Sequence, residues 1–420
     1  MLPLELIRKD PDGVRRAAEL KGEPAPIDEI LKLDEAWRAH LHRAETIKAE
    51  QNRLSKEFAK TRDESLKDRL REMSDDAKKE LEEAETVKRQ LDDLLLRVPN
   101  LFDESVPIGK SDADNVVERE WGTKPDLGFT PRTHYDLGES LGIMDFERAA
   151  HVSGSRFAFL VGEGARLERA LVQFMLDVHT REHGYTEVWP PMLVNSASMV
   201  GTANLPKFAD MAFKIEGRDL WLIPTAEVPI TNFHREEILD GDRLPLKYVA
   251  YAPSWRTEAG AAGKDTRGFI RMHQFSKVEL VKVTTADTSM KEFEALVADA
   301  EDILRRLGLR YHVLSMCTGD MGFAQYKKYD LEAWCPGLDR YLEVSSCSVF
   351  GDFQAMRANI RYRPAKGAPP KFAHTINGSG LALPRTIDAI IETYQRSDGM
   401  IAVPEVLRPY MGGIELIGAR

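Results

Sequence analysis

The residues with most chemistry to offer fall in four short stretches. In Tyr248–Glu258, strand alternation puts Val249, Tyr251, Pro253, Trp255 and Thr257 on one face and Ala250, Ala252, Ser254, Arg256 and Glu258 on the other. In Phe269–Leu280 the even positions, Ile270, Met272, Gln274, Ser276, Val278 and Leu280, are largely core-like, while the odd ones are Phe269, Arg271, His273, Phe275, Lys277 and Glu279. Such a charged and aromatic face is costly to bury unless it lines a polar site. An exposed sheet face with surface ion pairs is the ordinary reading of one such strand; two neighbouring strands put the readings on level terms. Asp339–Ser348 sets Glu343 and nearby serine hydroxyls at the end of a further strand, hard oxygen donors of the kind magnesium prefers, although Glu-x-Ser is a common sequence. Asn377-Gly-Ser-Gly380 precedes a helical run whose apolar stripe is Leu381, Ile387, Ile390, Ile391 and Tyr394. Arg385, in its first two turns, gains nothing from the helix dipole, which hints at a phosphate ligand; a surface arginine is the plainer alternative. Cys347 reads as a small packed residue, with no histidine near it in sequence.

These stretches need a scaffold. Ala259–Gly268 is glycine-rich and suits a long hairpin loop between the first two strands. Residues 101–130, with Pro107, Gly109, Gly122, Pro125 and Gly128, read as an irregular connector. Upstream, Asp28–Val98 contains neither glycine nor proline. Its apolar residues step by three and four through Ile30, Leu33, Trp37, Leu41, Ala44, Ile47, Leu54 and Phe58, then from Leu66 through Leu70, Met73, Ala77, Leu81, Ala84, Val87, Leu91 and Leu94 to Val98. That pattern, broken at Lys60–Asp63, predicts an antiparallel coiled-coil hairpin roughly 50 Å long. Over 53–71, Arg53, Lys56, Lys60, Arg62, Lys67, Arg69 and Arg71 face only Glu57, Asp63, Glu64 and Asp68. A solvated face with i,i+4 ion pairs is the usual meaning of such charge. A basic tip that touches a phosphate backbone is the sharper one.

Composition bounds the class. The 420 residues suggest two or three domains, and a net charge of −10 rules out a wholly basic nucleic-acid coat while permitting a local basic patch. Three cysteines without a CxxC pair fit a reducing compartment, and the ten histidines form no HExxH-type zinc set. Neither GxGxxG nor GxxxxGK[ST] occurs. No apolar run reaches the roughly 20 residues of a membrane helix, and the N-terminus is too charged for a signal peptide, so a cytoplasmic protein without a membrane partner is expected.

Taken in order, the motifs resemble those of seryl-tRNA synthetases, class II aminoacyl-tRNA synthetases with an N-terminal coiled-coil arm. Val152–Phe157 and Gly162–Arg169 are similar to the segments that lead into the family's catalytic domain, and Leu171–Val194 to its motif 1. Arg256-Thr-Glu258 through Gly268, with His273–Glu279, resembles motif 2, and Gly380–Arg385 resembles motif 3. Thr225-Ala-Glu227 and Ser345–Ser348 are further family signatures. The resemblance implies an α+β fold: a six- to seven-stranded antiparallel sheet flanked by helices, in a homodimer. It implies an N-terminal tRNA-binding domain over 1–100 with its arm at about 28–98, the connector, and a catalytic domain over 131–420.

The same resemblance implies serine activation by ATP with Mg²⁺, then transfer to serine tRNA, with no DNA partner and the tRNA for selenocysteine left open. Arg256, Glu258 and Arg385 would be catalytic. ATP would meet Arg256, Thr257, Glu258, Met272, Phe275, Glu343, Val344, Ser345, Ser346 and Arg385, with magnesium on Glu343 and Ser346. Serine would meet Thr225, Ala226, Glu227, Arg256, Glu279 and Ser379. The basic residues of 53–71 would read the long variable arm of serine tRNA. Val349, Gly351 and Met356 depart from the family's usual Asn, Glu and Arg. Two rivals remain: a serine-activating paralogue for biosynthesis or resistance, and a non-catalytic binding protein that keeps the arm.

Overall fold

In a computed structural model, residues 1–259 and 267–418 are described. Gly260–Thr266, the centre of the expected glycine-rich loop, lie outside the described residues. The chain divides into two compact units, Met1–Leu101 and Phe102–Arg420. Among the described residues no helix is long and apolar enough to cross a membrane.

The first unit opens with α1 (Leu4–Lys9) and α2 (Pro11–Leu20). Pro11 starts α2, and the Asp10 carboxylate accepts from the Gly13 backbone N–H at 2.9 Å. Two long helices follow, α3 (Ile27–Thr61) and α4 (Ser65–Leu95). Arg62 ends α3 in the left-handed region at φ 52°, within the charged break expected from the sequence. The helices are antiparallel: His40 meets Glu80 at 2.7 Å, and Gln51 donates to the Leu70 carbonyl at 3.2 Å. Ile30, Ala44, Leu54, Ala77, Ala84 and Leu91 are buried along the seam, as the heptad spacing predicts.

The second unit is built on an eight-stranded sheet. Its strands in chain order are β1 (Val116–Trp121), β2 (Thr186–Glu187), β3 (Leu246–Trp255), β4 (Gln274–Thr284), β5 (Tyr311–Ser315), β6 (Lys327–Cys335), β7 (Arg340–Gly351) and β8 (His374–Ala382). Their spatial order is β1-β5-β6-β7-β8-β4-β3-β2, antiparallel throughout except for the β2–β3 pair. One face packs on α6 (Glu163–Arg181), α7 (Ser289–Arg306) and α8 (Leu383–Thr393), preceded in the chain by the short α5 (His134–Ser140). Leu167, Phe174, Phe293, Leu296, Ile387 and Ile390 meet Val249, Val278, Leu280, Leu331 and Val344 in that core. Residues of opposite parity in β3 and β4 point to the other face.

Several expectations need correction. Among the described residues the sheet has eight strands rather than six or seven, and the 101–130 connector supplies one of them: β1 pairs with β5 at the sheet edge. The strand expected over Phe269–Leu280 begins only at Gln274 and runs to Thr284. The strand expected over Tyr248–Glu258 starts at Leu246 and stops at Trp255; Glu258 turns out of extended geometry at φ 51°. Asn377–Gly380 lies inside β8, so the helix starts at Leu383 rather than Leu381. Glu343 and Ser346 sit well inside β7 rather than at its end.

Candidate functional site

On the face away from α6–α8, strands β4, β6, β7 and β8 and the segment that follows β3 enclose a cavity of about 380 Å³ with the start of α8 at its rim, a volume that suits a small organic ligand. Two register shifts shape its wall. Along β7, Leu331 pairs with Ser345 but Glu332 pairs with Glu343, leaving Val344 as an extra residue. Glu343 and Ser346, three apart, would otherwise point to opposite faces; the bulge turns both into the cavity. Gly380 plays the same part in β8 and lets Ser379 and Ala382 share the wall.

At one end stands a buried polar cluster. Glu279 is 0% exposed and accepts from Thr225 Oγ1 at 2.7 Å and from Asn377 Nδ2 at 3.2 Å. The Lys277 ammonium pairs with the same carboxylate and donates to Thr225 Oγ1 at 2.8 Å. Glu227 accepts from Gln354 Nε2 at 2.6 Å, and Gln354 in turn accepts from Thr375 Oγ1 at 2.7 Å. Burial, then the charge of Glu279, pushes the Glu227 carboxyl up to about 7. A ligand ammonium would meet a carboxylate there, and a ligand hydroxyl would meet groups already dressed for hydrogen bonding.

The other end is cationic. Arg256 follows β3, where its backbone N–H donates to the His273 carbonyl at 2.9 Å. Its guanidinium donates through Nε to the Pro224 carbonyl at 3.2 Å and lies 5.1 Å from the Phe275 ring centre. Arg385 donates to the Ile270 carbonyl at 3.1 Å and to the Glu343 carbonyl at 2.8 Å, and stands 3.2 Å from the Glu343 carboxylate. Burial opposes the charged form of Glu343, but Arg385, Lys328 and Arg256 outweigh it and hold this carboxyl below its usual range. Beside it, Lys328 pairs with Asp330 at 3.0 Å, and burial pushes the Asp330 carboxyl up. Glu258 is fixed by Arg271 at 3.3 Å. The cavity therefore offers fixed cations to an anion at one end and a compact polar socket at the other.

Of the residues singled out from sequence, Thr225, Glu227, Arg256, Glu258, Met272, Phe275, Glu343, Val344, Ser346, Ser379 and Arg385 line this one cavity. Four do not. Glu279 lies one layer behind Thr225 and Lys277; Ala226 packs in an apolar cluster with Ile223 and Val228. Thr257 donates to the Asp210 carbonyl at 2.6 Å, and Ser345 donates to the Ser379 carbonyl at 2.6 Å. Arg53, Lys56, Lys60, Arg62, Lys67, Arg69 and Arg71 are all exposed on the far half of the arm. Val349 is buried in the core and Gly351 takes φ 61° at the end of β7; neither they nor Met356 line the cavity. Sequence reasoning missed Lys328 and Gln354, and gave Asn377 no role of its own. The signal for Lys328 was present, because Lys328, Asp330 and Glu332 alternate with Tyr329, Leu331 and Ala333.

Comparison with known proteins bears on the family and the fold. Residues 1–102 match the family model for the seryl-tRNA synthetase N-terminal domain, and residues 211–394 match that for the class II tRNA synthetase core domain (G, H, P, S and T). The serine–tRNA ligase of Caldanaerobacter subterraneus subsp. tengcongensis is 53% identical across 98% of each chain. That of Pelotomaculum thermopropionicum is 52% identical across 100% of each. The crystal structure of seryl-tRNA synthetase from Pyrococcus horikoshii complexed with ATP superposes with a TM-score of 0.95 at 40% identity, covering 99% of both chains.

Proposed function

The chain belongs to the seryl-tRNA synthetase family, and on that premise we propose that it activates L-serine with ATP to seryl-adenylate and passes the seryl group to the 3′ end of serine tRNA. The observation that carries the site assignment is the joining, in one cavity, of the Thr225–Lys277–Glu279 cluster to Arg256 and Arg385. The serine carboxylate attacks the α-phosphate and pyrophosphate leaves, so the protein's task is alignment and neutralisation of charge. Arg256 holds the carboxylate and the α-phosphate together. Phe275 supports the adenine ring, Glu258 meets its amino group, and Arg385 covers the opposite side and reaches toward the γ-phosphate. Glu227 takes the serine ammonium. Thr225, Ser379 and the buried Glu279 behind them take the hydroxyl. An alanine in this socket leaves those polar groups unpaired, which discriminates strongly against it.

Magnesium fits the same wall. Glu343 and Ser346 present only oxygen, on one face, and among the described residues no group of three or more His, Cys, Asp or Glu gathers to cage a metal. That pattern suits an ion that keeps waters and phosphate oxygens as its remaining ligands. When bound it would neutralise phosphate charge.

The exposed basic residues of the arm support recognition of the tRNA backbone. A homodimer belongs to the same reading: Val152, Phe159 and Val161 expose apolar side chains near the start of α6, and sedimentation velocity tests it by mass. Serine-dependent ATP–pyrophosphate exchange, run beside charging of total tRNA, tests the whole. Both activities are expected. Exchange without charging would make the chain a dedicated serine activator, and the absence of both would remove the catalytic reading.

A further inference from the structure

Behind the nucleotide end of the cavity lies a fully buried ionic cluster that the reaction scheme above does not use. His134, at the start of α5, is 0% exposed, as are Asp388 and Glu392 of α8. Glu392 Oε1 accepts from both the backbone N–H of His134 (2.9 Å) and its ring Nδ1 (2.8 Å). Its second oxygen accepts from the backbone N–H groups of Gly337 (2.8 Å) and Leu338 (3.0 Å). Nδ1 therefore carries a proton, and Nε2 points at Asp388 Oδ2, 3.5 Å away. Among the described residues, neither Asp388 oxygen nor His134 Nε2 has a hydrogen-bond partner. Burying a carboxylate without donors is expensive: burial pushes the Asp388 carboxyl up to about 7, and the charge of a protonated His134 opposes that rise.

The cluster touches the site through two routes. Arg385, Asp388 and Glu392 are spaced by three and four, which puts them on one face of α8. The segment Gly268–Met272, four of whose residues line the cavity, is held against that face. Arg385 grips it at the Ile270 carbonyl. At its start the Gly268 backbone rests on the imidazole: a methyl group there would come within 2.0 Å of Nε2, and Gly268 also takes φ 73°, so only glycine suits it. Arg267 adds a clamp, lying 4.3 Å from the Tyr135 ring centre and 3.8 Å from Asp136.

We propose that His134, Asp388 and Glu392 are positioning residues of the nucleotide site, which seat the Gly268–Met272 wall against the helix that carries Arg385. The proposal rests on the reading that this cavity takes ATP. It differs from a general stabilising role in where the effect falls: on ATP, through Ile270 and Arg385, and not on the serine socket, whose groups come from Thr225, Glu227, β4 and β8.

The test is calorimetric titration of the full chain with ATP, beside the KM for serine in pyrophosphate exchange and a thermal melt. Asp388→Asn, which keeps the side-chain volume, is expected to raise the ATP Kd about tenfold while the serine KM moves less than twofold. His134→Ala should do the same, and the double variant should be no worse than the single ones, since the two residues act as a unit. Should His134→Ala fail to fold, Asp388→Asn decides. An unchanged ATP Kd in Asp388→Asn, or an equal rise for ATP and serine, overturns the proposal. ATP binding needs no serine, so a chain that binds ATP yet catalyses no exchange would sink the synthetase reading and leave this measurement intact. No ATP binding by the unaltered chain would overturn both.

Discussion

The cavity and the arm are both rich in charge, and they use it in opposite ways. In and just behind the cavity wall Lys277 and Glu279 are 6% and 0% exposed, and both are tied to the Thr225 hydroxyl from another part of the chain. At the basic tip of the arm the pairs are local, such as Arg53 with Glu50 and Lys67 with Glu64, three residues apart, and Lys67 is 70% exposed. Buried pairs hold geometry, because breaking one strands a charge in a poor solvent. Exposed charges contribute little individually and act together as a field that salt can screen. The site should therefore fail abruptly at single residues, whereas the arm should weaken by degrees.

Arg256→Ala is the sharpest way to break that contrast. It removes the cation assigned to the α-phosphate, and pyrophosphate exchange should fall about 10³-fold with the fold retained. Near-normal exchange would take Arg256 out of the mechanism. Glu279→Gln comes next. It leaves the Lys277 ammonium without its carboxylate, and kcat/KM for serine should drop about 10²-fold, with ATP affinity measured separately and nearly unchanged. A parallel loss of ATP binding would mean that the two ends of the cavity are not independent. For the arm, neutralising Lys60, Arg62, Lys67 and Arg69 together should cost about 10- to 100-fold in kcat/KM for tRNA, with a shallower salt dependence and unaltered exchange. A single abrupt loss on changing one of the four would contradict the graded field.

The two regions also differ in how far the sequence exposes them. The arm was legible because its signal is local: some seventy residues without glycine or proline, stepping by three and four, with the break where Arg62 turns left-handed. Parity on β4 was legible for the same reason, and Phe275, Lys277 and Glu279 do share the face away from Val278 and Leu280. What failed was non-local. The bulges at Val344 and Gly380 shift register by one residue and leave no mark in composition, yet they decide which side chains enter the cavity. The edge strand β1 has exposed residues on both faces and pairs with Tyr311–Ser315, nearly two hundred residues later, so it carries no alternation to read. Asp388 and Glu392 were not singled out, because nothing local marks them within the apolar helical run; only the return of His134 from far upstream gives them a role.

The gentlest prediction tests whether the serine socket is electrostatically poised. The Glu227 carboxyl is pushed up to about 7 by burial and by Glu279. Below that pH it is neutral and offers the serine ammonium no charge; above it the carboxylate is ready to pair. Serine binding is therefore favoured as pH rises, because apparent affinity scales with the fraction of protein in the competent form, about 0.1 at pH 6 and about 0.9 at pH 8. The serine KM should fall about tenfold across that interval, while the ammonium of serine stays protonated. Glu227→Gln should flatten the profile at a weak plateau, since the amide carries no charge at either pH. A serine KM that is flat or rising from pH 6 to 8 in the unaltered protein would place the ammonium elsewhere in the cavity, against Glu279 and Thr225 rather than Glu227.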